Sequence, residues 1–211
     1  MSDVARARVA AVVLAAGTSS RMGRNKLLLE IDGEALVHRA VRQACDAGLD
    51  PVIVVLGHEA GGVQDRLVDL PCQMVLNPDY EDGVRSSLRA GIAGVPADAA
   101  AAVVVLADMP FVTARMIAAL TGRYREAAAR LVVSRYGEVT APPTLYDRSL
   151  FAELLAMDGP GCGKQVVRRH RQEAVILEWA VEALTDLDVP DDYDRLRALI
   201  ETRQEGHRHA V

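Results

Sequence analysis

The chain has 211 residues, half of them hydrophobic and a quarter charged, which is long enough to bury a real core and too apolar for a disordered tail protein. Its 24 lysines and arginines against 29 aspartates and glutamates leave a net charge of −5, and aromatics are only 4%. That combination offers neither a global positive field for nucleic acid nor a stacking platform for single strands. The cysteines, Cys45, Cys72 and Cys162, are odd in number and far apart, which argues against a disulfide framework or a zinc knuckle and fits a reducing cytoplasm. No stretch approaches transmembrane length.

Taken in chain order, Arg6 and Arg8 precede an apolar run from Val9 to Ala16 that could be read as a short secretory segment. The run is at the short end for one, and Gly17-Thr18-Ser19-Ser20-Arg21 follows at once, so a strand leading into a phosphate loop is the better reading. Uniformly apolar runs at Val9–Leu14, Val52–Leu56, Met74–Leu76 and Ala102–Leu106 predict buried parallel strands. Between the first two, Val37, Ala40, Val41 and Ala44 follow helical spacing, with Gly48 placed to end the helix. Asn77 to Leu88 reads as a polar loop entering a helix that Ser86 or Ser87 could cap. Thr113 is placed to cap a helix reaching about Arg130, and Leu131–Ser134 predicts another strand. The clusters Ala141-Pro142-Pro143 and Gly159-Pro160-Gly161-Cys162-Gly163 read as loops. Asp188 precedes a last helix begun by Pro190, and the segment from Glu201, with His207 and His209, reads as a polar tail. The expected fold is α/β, a Rossmann-like open mixed and mostly parallel sheet with helices on both faces. One domain over residues 1–200 is expected to precede a tail over 201–211.

In such sheets ligands sit at the carboxyl ends of the strands, so the segment after the first strand matters most. Leu14, Ala15, Ala16, Gly17, Thr18, Ser19 and Ser20 keep the backbone accessible and leave N–H groups to point at phosphate oxygens, while Arg21 and Lys26 add fixed charge. It is not a Walker A loop, because Leu27 follows the lysine, and Gly17 and Gly23 do not have dinucleotide-fingerprint spacing. An ordinary βα turn with two surface cations is the plainer alternative. Asp108, opening Asp108-Met109-Pro110 after an apolar strand, would project into the same crevice, where one or two carboxylates plus substrate phosphates suffice for magnesium. Asp188 is the second candidate, with Asp186 less favoured; a turn former at Asp108 and a helix cap at Asp188 are the corresponding structural readings.

Leu14-Ala15-Ala16-Gly17, Ser20-Arg21-Met22-Gly23 and Lys26-Leu27-Leu28 together resemble the signature of the MobA-like nucleotidyltransferases, and within them the MocA-type molybdenum cofactor cytidylyltransferases. The resemblance implies the nucleotide-diphospho-sugar transferase type of fold and a Mg²⁺-dependent transfer of CMP from CTP to the phosphate of molybdopterin, with release of pyrophosphate. Guanylyltransferases of the family usually carry a second glycine where this chain has Ala16, so CTP is implied over GTP. Arg21, Lys26 and Asp108 become the catalytic residues and Asp108 with Asp188 the metal ligands. Asn77, Gly83 and Ser87 become base and ribose contacts, and Pro143 and Lys164 contacts to a phosphorylated pterin-type acceptor. This chain departs from the family pattern at Ala141, Pro160 and Lys164, which bears on the acceptor. An apo-molybdoenzyme is the implied recipient of the product. The alternatives are guanylyl transfer, cytidylyl or uridylyl transfer to a sugar phosphate, a non-catalytic maturation factor, and a nicotinamide-dependent oxidoreductase, the last weakened by the missing glycine fingerprint.

Overall fold

The structure is a computed structural model that describes residues 7–20, 22–156 and 161–185. Strand β1 (Arg8–Ala15) is buried at every position from Val9 onward, the mark of a strand covered on both faces. It pairs in parallel with β4 (Val52–Leu56) on one side and β6 (Ala99–Leu106) on the other. Two short strands, β2 (Glu30–Ile31) and β3 (Glu34–Ala35), form a separate antiparallel ribbon. With β5 (Gln73–Leu76), β7 (Leu131–Tyr136), β8 (Val139–Asp147) and β9 (Val175–Trp179), the main sheet is seven-stranded in the order β5-β4-β1-β6-β8-β7-β9. Only β8 runs antiparallel to its neighbours, so the expectation of a mixed, mostly parallel sheet holds. The strand order reverses between β1 and β6, which places a ligand crevice at their carboxyl ends.

The helices are α1 (Leu36–Asp46), α2 (Ala60–Asp65), α3 (Val84–Ala93), α4 (Ala114–Ala127), α5 (Phe151–Ala156) and α6 (Cys162–Arg169). Period-two alternation along β1 divides the core between them. Val9, Ala11 and Val13 pack with Val37 and Val41 of α1 and Ile117 and Leu120 of α4. Ala10, Val12 and Leu14 pack with Leu88 and Ile92 of α3, Leu154 of α5 and Val166 of α6. Helix α3 seats closely because Gly91 lacks a side chain; a Cβ there would lie 2.3 Å from Val12 Cγ1.

Several local expectations hold. Gly48 takes φ +74° just past α1, and Thr113 caps α4 by accepting from the Met116 N–H at 3.3 Å. Others need correction. Met74–Leu76 is not a buried strand: β5 is the sheet edge, and Leu76 is 65% exposed. Helix α4 stops at Ala127, ahead of Arg130, because Ala128 turns left-handed. Ser86 and Ser87 are inside α3, whose N-cap is Gly83; Ser86 Oγ donates back to the Gly83 carbonyl at 2.9 Å. Ala141-Pro142-Pro143 is not a loop but part of β8. The prolines fit a strand because the β7–β8 register jumps from Val133↔Thr144 to Ser134↔Ala141, leaving both in an irregularity where no ladder N–H is needed. The last helix from Asp188 and the tail from Glu201 fall outside the described residues. Among the described residues no helix is long and apolar enough to cross a membrane.

Candidate active site

The loop after β1 is stitched to both neighbouring strands. The Leu14 carbonyl accepts from the Ala107 N–H at 3.2 Å and the Ala16 carbonyl from the His58 N–H at 3.3 Å. Ser19, at φ +51°, closes the turn: its carbonyl accepts from Met22 N–H at 2.8 Å and its hydroxyl from Lys26 N–H at 3.1 Å. Lys26 opens a 3-10 turn, Lys26–Leu28, capped by Asn25, whose Oδ1 accepts from Leu27 N–H at 3.1 Å. Asn25 is buried, and its amide also donates to the His58 carbonyl at 3.5 Å.

This scaffold points Lys26 across the crevice. Its Nζ meets Asp108 Oδ2 at 2.6 Å, with side chains only 12% and 22% exposed. Asp108 lies in the turn just past β6, held by Met109 N–H to Leu106 carbonyl at 3.4 Å. Leu14 to Ser20, Lys26 and Asp108 are therefore brought together at the carboxyl ends of β1 and β6, as anticipated. Arg21 and Asp188 fall outside the described residues.

Asn77 and Ser87 are also brought together, at the end of β5 and the start of α3. Both are buried, and Asn77 Nδ2 donates to Ser87 Oγ at 3.1 Å and Ser86 Oγ at 2.9 Å, while its Oδ1 accepts from Asp79 N–H at 3.1 Å. These bonds fold the segment back to Gly83, which sits at φ +85°, a conformation that favours glycine. A cavity of about 980 Å³ opens beside it, floored by Leu14, Leu88, Val104 and Leu106, with Lys164 at its wall. Lys26 and Asp108 are not among this lining; Asp108 follows Leu106 by two residues, and Lys26 follows Leu14 across the loop after β1. Pro143 is separated from it: it is buried, and its carbonyl accepts from Ser134 Oγ at 2.7 Å. Ala141 and Pro142 line the cavity instead.

Three supports were not anticipated. Gly57, at the end of β4, is in such close contact that a Cβ would lie 2.8 Å from the Ala16 carbonyl oxygen and 2.6 Å from Tyr80 Cβ; its signal in sequence is a glycine directly after a buried strand. Asn25 is the second, signalled by an Asx residue two places before Leu27. The third is Arg39 of α1, whose Nε donates to the Pro110 carbonyl at 3.0 Å and steadies the Asp108 turn. Arg39 faces Glu34 at 3.6 Å, and Glu34 also pairs with Arg42 at 2.7 Å; no local pattern announces this chain of contacts.

The Arg42 guanidinium is the main reason the Glu34 carboxyl is held down to about 2, against the opposing effect of burial and with help from His38. A depressed carboxylate stabilises the fold above its unfolded pKa and loses that contribution as pH falls through the folded one. Glu34→Gln is therefore expected to cost on the order of 2–3 kcal/mol at pH 7. In thermal melts, its gap from the wild type should close between pH about 4.5 and 2.

Among the described residues no group of three or more His, Cys, Asp or Glu side chains could hold a metal by itself. A single carboxylate at a strand end nevertheless fits magnesium or manganese, which are completed by water and substrate phosphates.

Residues 11–175 match the MobA-like NTP transferase domain. The chain belongs to this family. It is similar to nicotine blue oxidoreductase of Paenarthrobacter nicotinovorans, 32% identical over 94% of this chain and 98% of that one. It is also similar to the molybdenum cofactor cytidylyltransferase of Escherichia coli K12, 22% identical over 86% of this chain and 92% of that one. Among solved structures, the manganese complex of Rv0371c from Mycobacterium tuberculosis H37Rv matches with a TM-score of 0.76 and 27% identity, covering 90% of this chain and 98% of that one. A divalent metal is thus found on a MobA-like transferase's structural relative, and the family resemblance read from the first loop is borne out.

Proposed function

We propose that this transferase moves CMP from CTP to the phosphate of a molybdopterin-type acceptor and releases pyrophosphate. The observation that carries the reading is the Lys26–Asp108 pair, 2.6 Å apart, at the strand ends beside a small-residue loop. Ala16, in place of a second glycine, favours cytosine over guanine.

An acceptor phosphate oxygen attacks the α-phosphorus, the bond from that phosphorus to the bridging oxygen breaks, and pyrophosphate leaves with the electron pair. No enzyme nucleophile is needed, so positioning and electrostatics carry the rate. Backbone N–H groups of residues 15–20 and Arg21 hold the β and γ phosphates, and Lys26 offsets charge at the α-phosphate. Asp108 and Asp188 would hold Mg²⁺, which would supply neutralisation of phosphate charge. Asn77 and Ser87 fix the turn at Gly83 against base and ribose, while Lys164, with Ala141 and Pro142 of β8, faces the acceptor. The setting is cytoplasmic, and the product passes to an apo-molybdoenzyme.

Pyrophosphate release with molybdopterin, Mg²⁺ and each of CTP, GTP, UTP and ATP tests this. CTP-selective release supports it, and GTP selectivity overturns the Ala16 argument. The oxidoreductase relative favours one further reading, which NADPH consumption in the same mixtures would support.

A further inference from the structure

Helix α6 turns Lys164, Val167 and Arg168 toward the cavity, and Arg171, just past the helix, joins them. The spacing i, i+3, i+4, i+7 is that of one helical face. Arg85 of α3 also lines the cavity. Four cations thus surround an apolar floor, and among the described lining residues the one carboxylate is Asp82.

The two sides of α6 are treated differently. On its far side Arg169 pairs with Glu153 at 2.9 Å, and Glu153 also receives His170 at 2.7 Å, which pins the end of α6 to α5. On the cavity side, no carboxylate among the described residues forms an ion pair with Lys164, Arg168 or Arg171. Like charges four apart on a helix destabilise it, and among the described residues no carboxylate offsets that repulsion. The volume of about 980 Å³ is also at the upper end for a small-molecule site, far more than a single phosphate fills.

We infer that the cavity binds an amphipathic ligand with an apolar body and two separated anionic groups, the second gripped by Arg168 and Arg171. Leu14, Leu88, Val104 and Leu106 cover the body of the ligand. Calling this ligand the acceptor rests on the proposed function; its first anion then lies toward Lys26 and Asp108, and the second group fixes its orientation. Arg168 and Arg171 become specificity-determining residues for an acceptor of that class.

Fluorescence titration of the full chain at low salt tests the cavity without turnover. The probes are bis-anilinonaphthalenesulfonate, an apolar dianion; anilinonaphthalenesulfonate, a monoanion; and N-phenyl-1-naphthylamine, which is neutral. Arg168 and Arg171 are exposed, so Arg168→Gln/Arg171→Gln should melt no lower than the wild type. The double variant is expected to weaken the dianion about tenfold or more, the monoanion less, and the neutral probe not at all, as loss of a paired-anion grip predicts. Unchanged dianion affinity, or an equal loss for all three probes, overturns the inference. Absence of CTP turnover alongside the expected probe pattern would remove the nucleotidyl reading and leave the cavity assignment standing.

Discussion

Asp108→Asn is expected to lower pyrophosphate release on the order of 10³-fold at saturating Mg²⁺, the scale of removing a group that stabilises transition-state charge. The amide keeps the carboxylate's size and can still accept a hydrogen bond from Lys26, so packing in the turn past β6 is preserved. What it removes is the negative charge that sits 2.6 Å from Lys26 Nζ and that a divalent ion requires. The loss should appear in kcat and in a raised Mg²⁺ requirement, with a melting temperature close to the wild type. Turnover within tenfold of the wild type at saturating metal would remove Asp108 from the metal site.

Lys26→Met is expected to cost on the order of 10²-fold in kcat, with a smaller effect on the KM for CTP, if its charge acts mainly on the transition state. Methionine preserves the unbranched stem and deletes the ammonium. Because Lys26 is only 12% exposed, the substitution also leaves a partly buried Asp108 without its cation. The double variant Lys26→Met/Asp108→Asn should accordingly melt higher than the sum of the single losses predicts, with a coupling of about 0.5–3 kcal/mol. Strict additivity in melting, together with full turnover of Lys26→Met, would reduce the pair to a surface contact.

Much of this site was legible before any coordinates because its parts are local. The β1 loop follows an uninterrupted apolar strand, and Asp108 follows another, so strand-end logic brought both to one crevice. The errors came where a neighbour decides the outcome. Two adjacent prolines normally mark a loop, yet in β8 they lie at a register jump that needs no N–H from them. Met74–Leu76 is apolar enough for a buried strand, but its place at the sheet edge is a property of strand order. Ser86 and Ser87 are good caps by residue type, whereas Gly83 holds the cap position and the serines serve Asn77. The supports at Gly57 and Arg39 act through contacts with residues distant in sequence, such as Ala16 and Pro110, which local spacing does not encode.

The position of β1 between β4 and β6 also governs when the crevice can come into being. A hairpin such as β7–β8 joins residues that are neighbours in time as well as in space, and it can pair as soon as it is made. The first strand has no such partner: one of its flanks arrives with Val52–Leu56 and the other only with Ala99–Leu106. Non-local parallel pairing is intrinsically slow to form. During synthesis the loop after β1 must therefore wait, uncommitted, until about half the chain has emerged, and a nascent chain truncated before Leu106 has no Asp108 for Lys26 to meet.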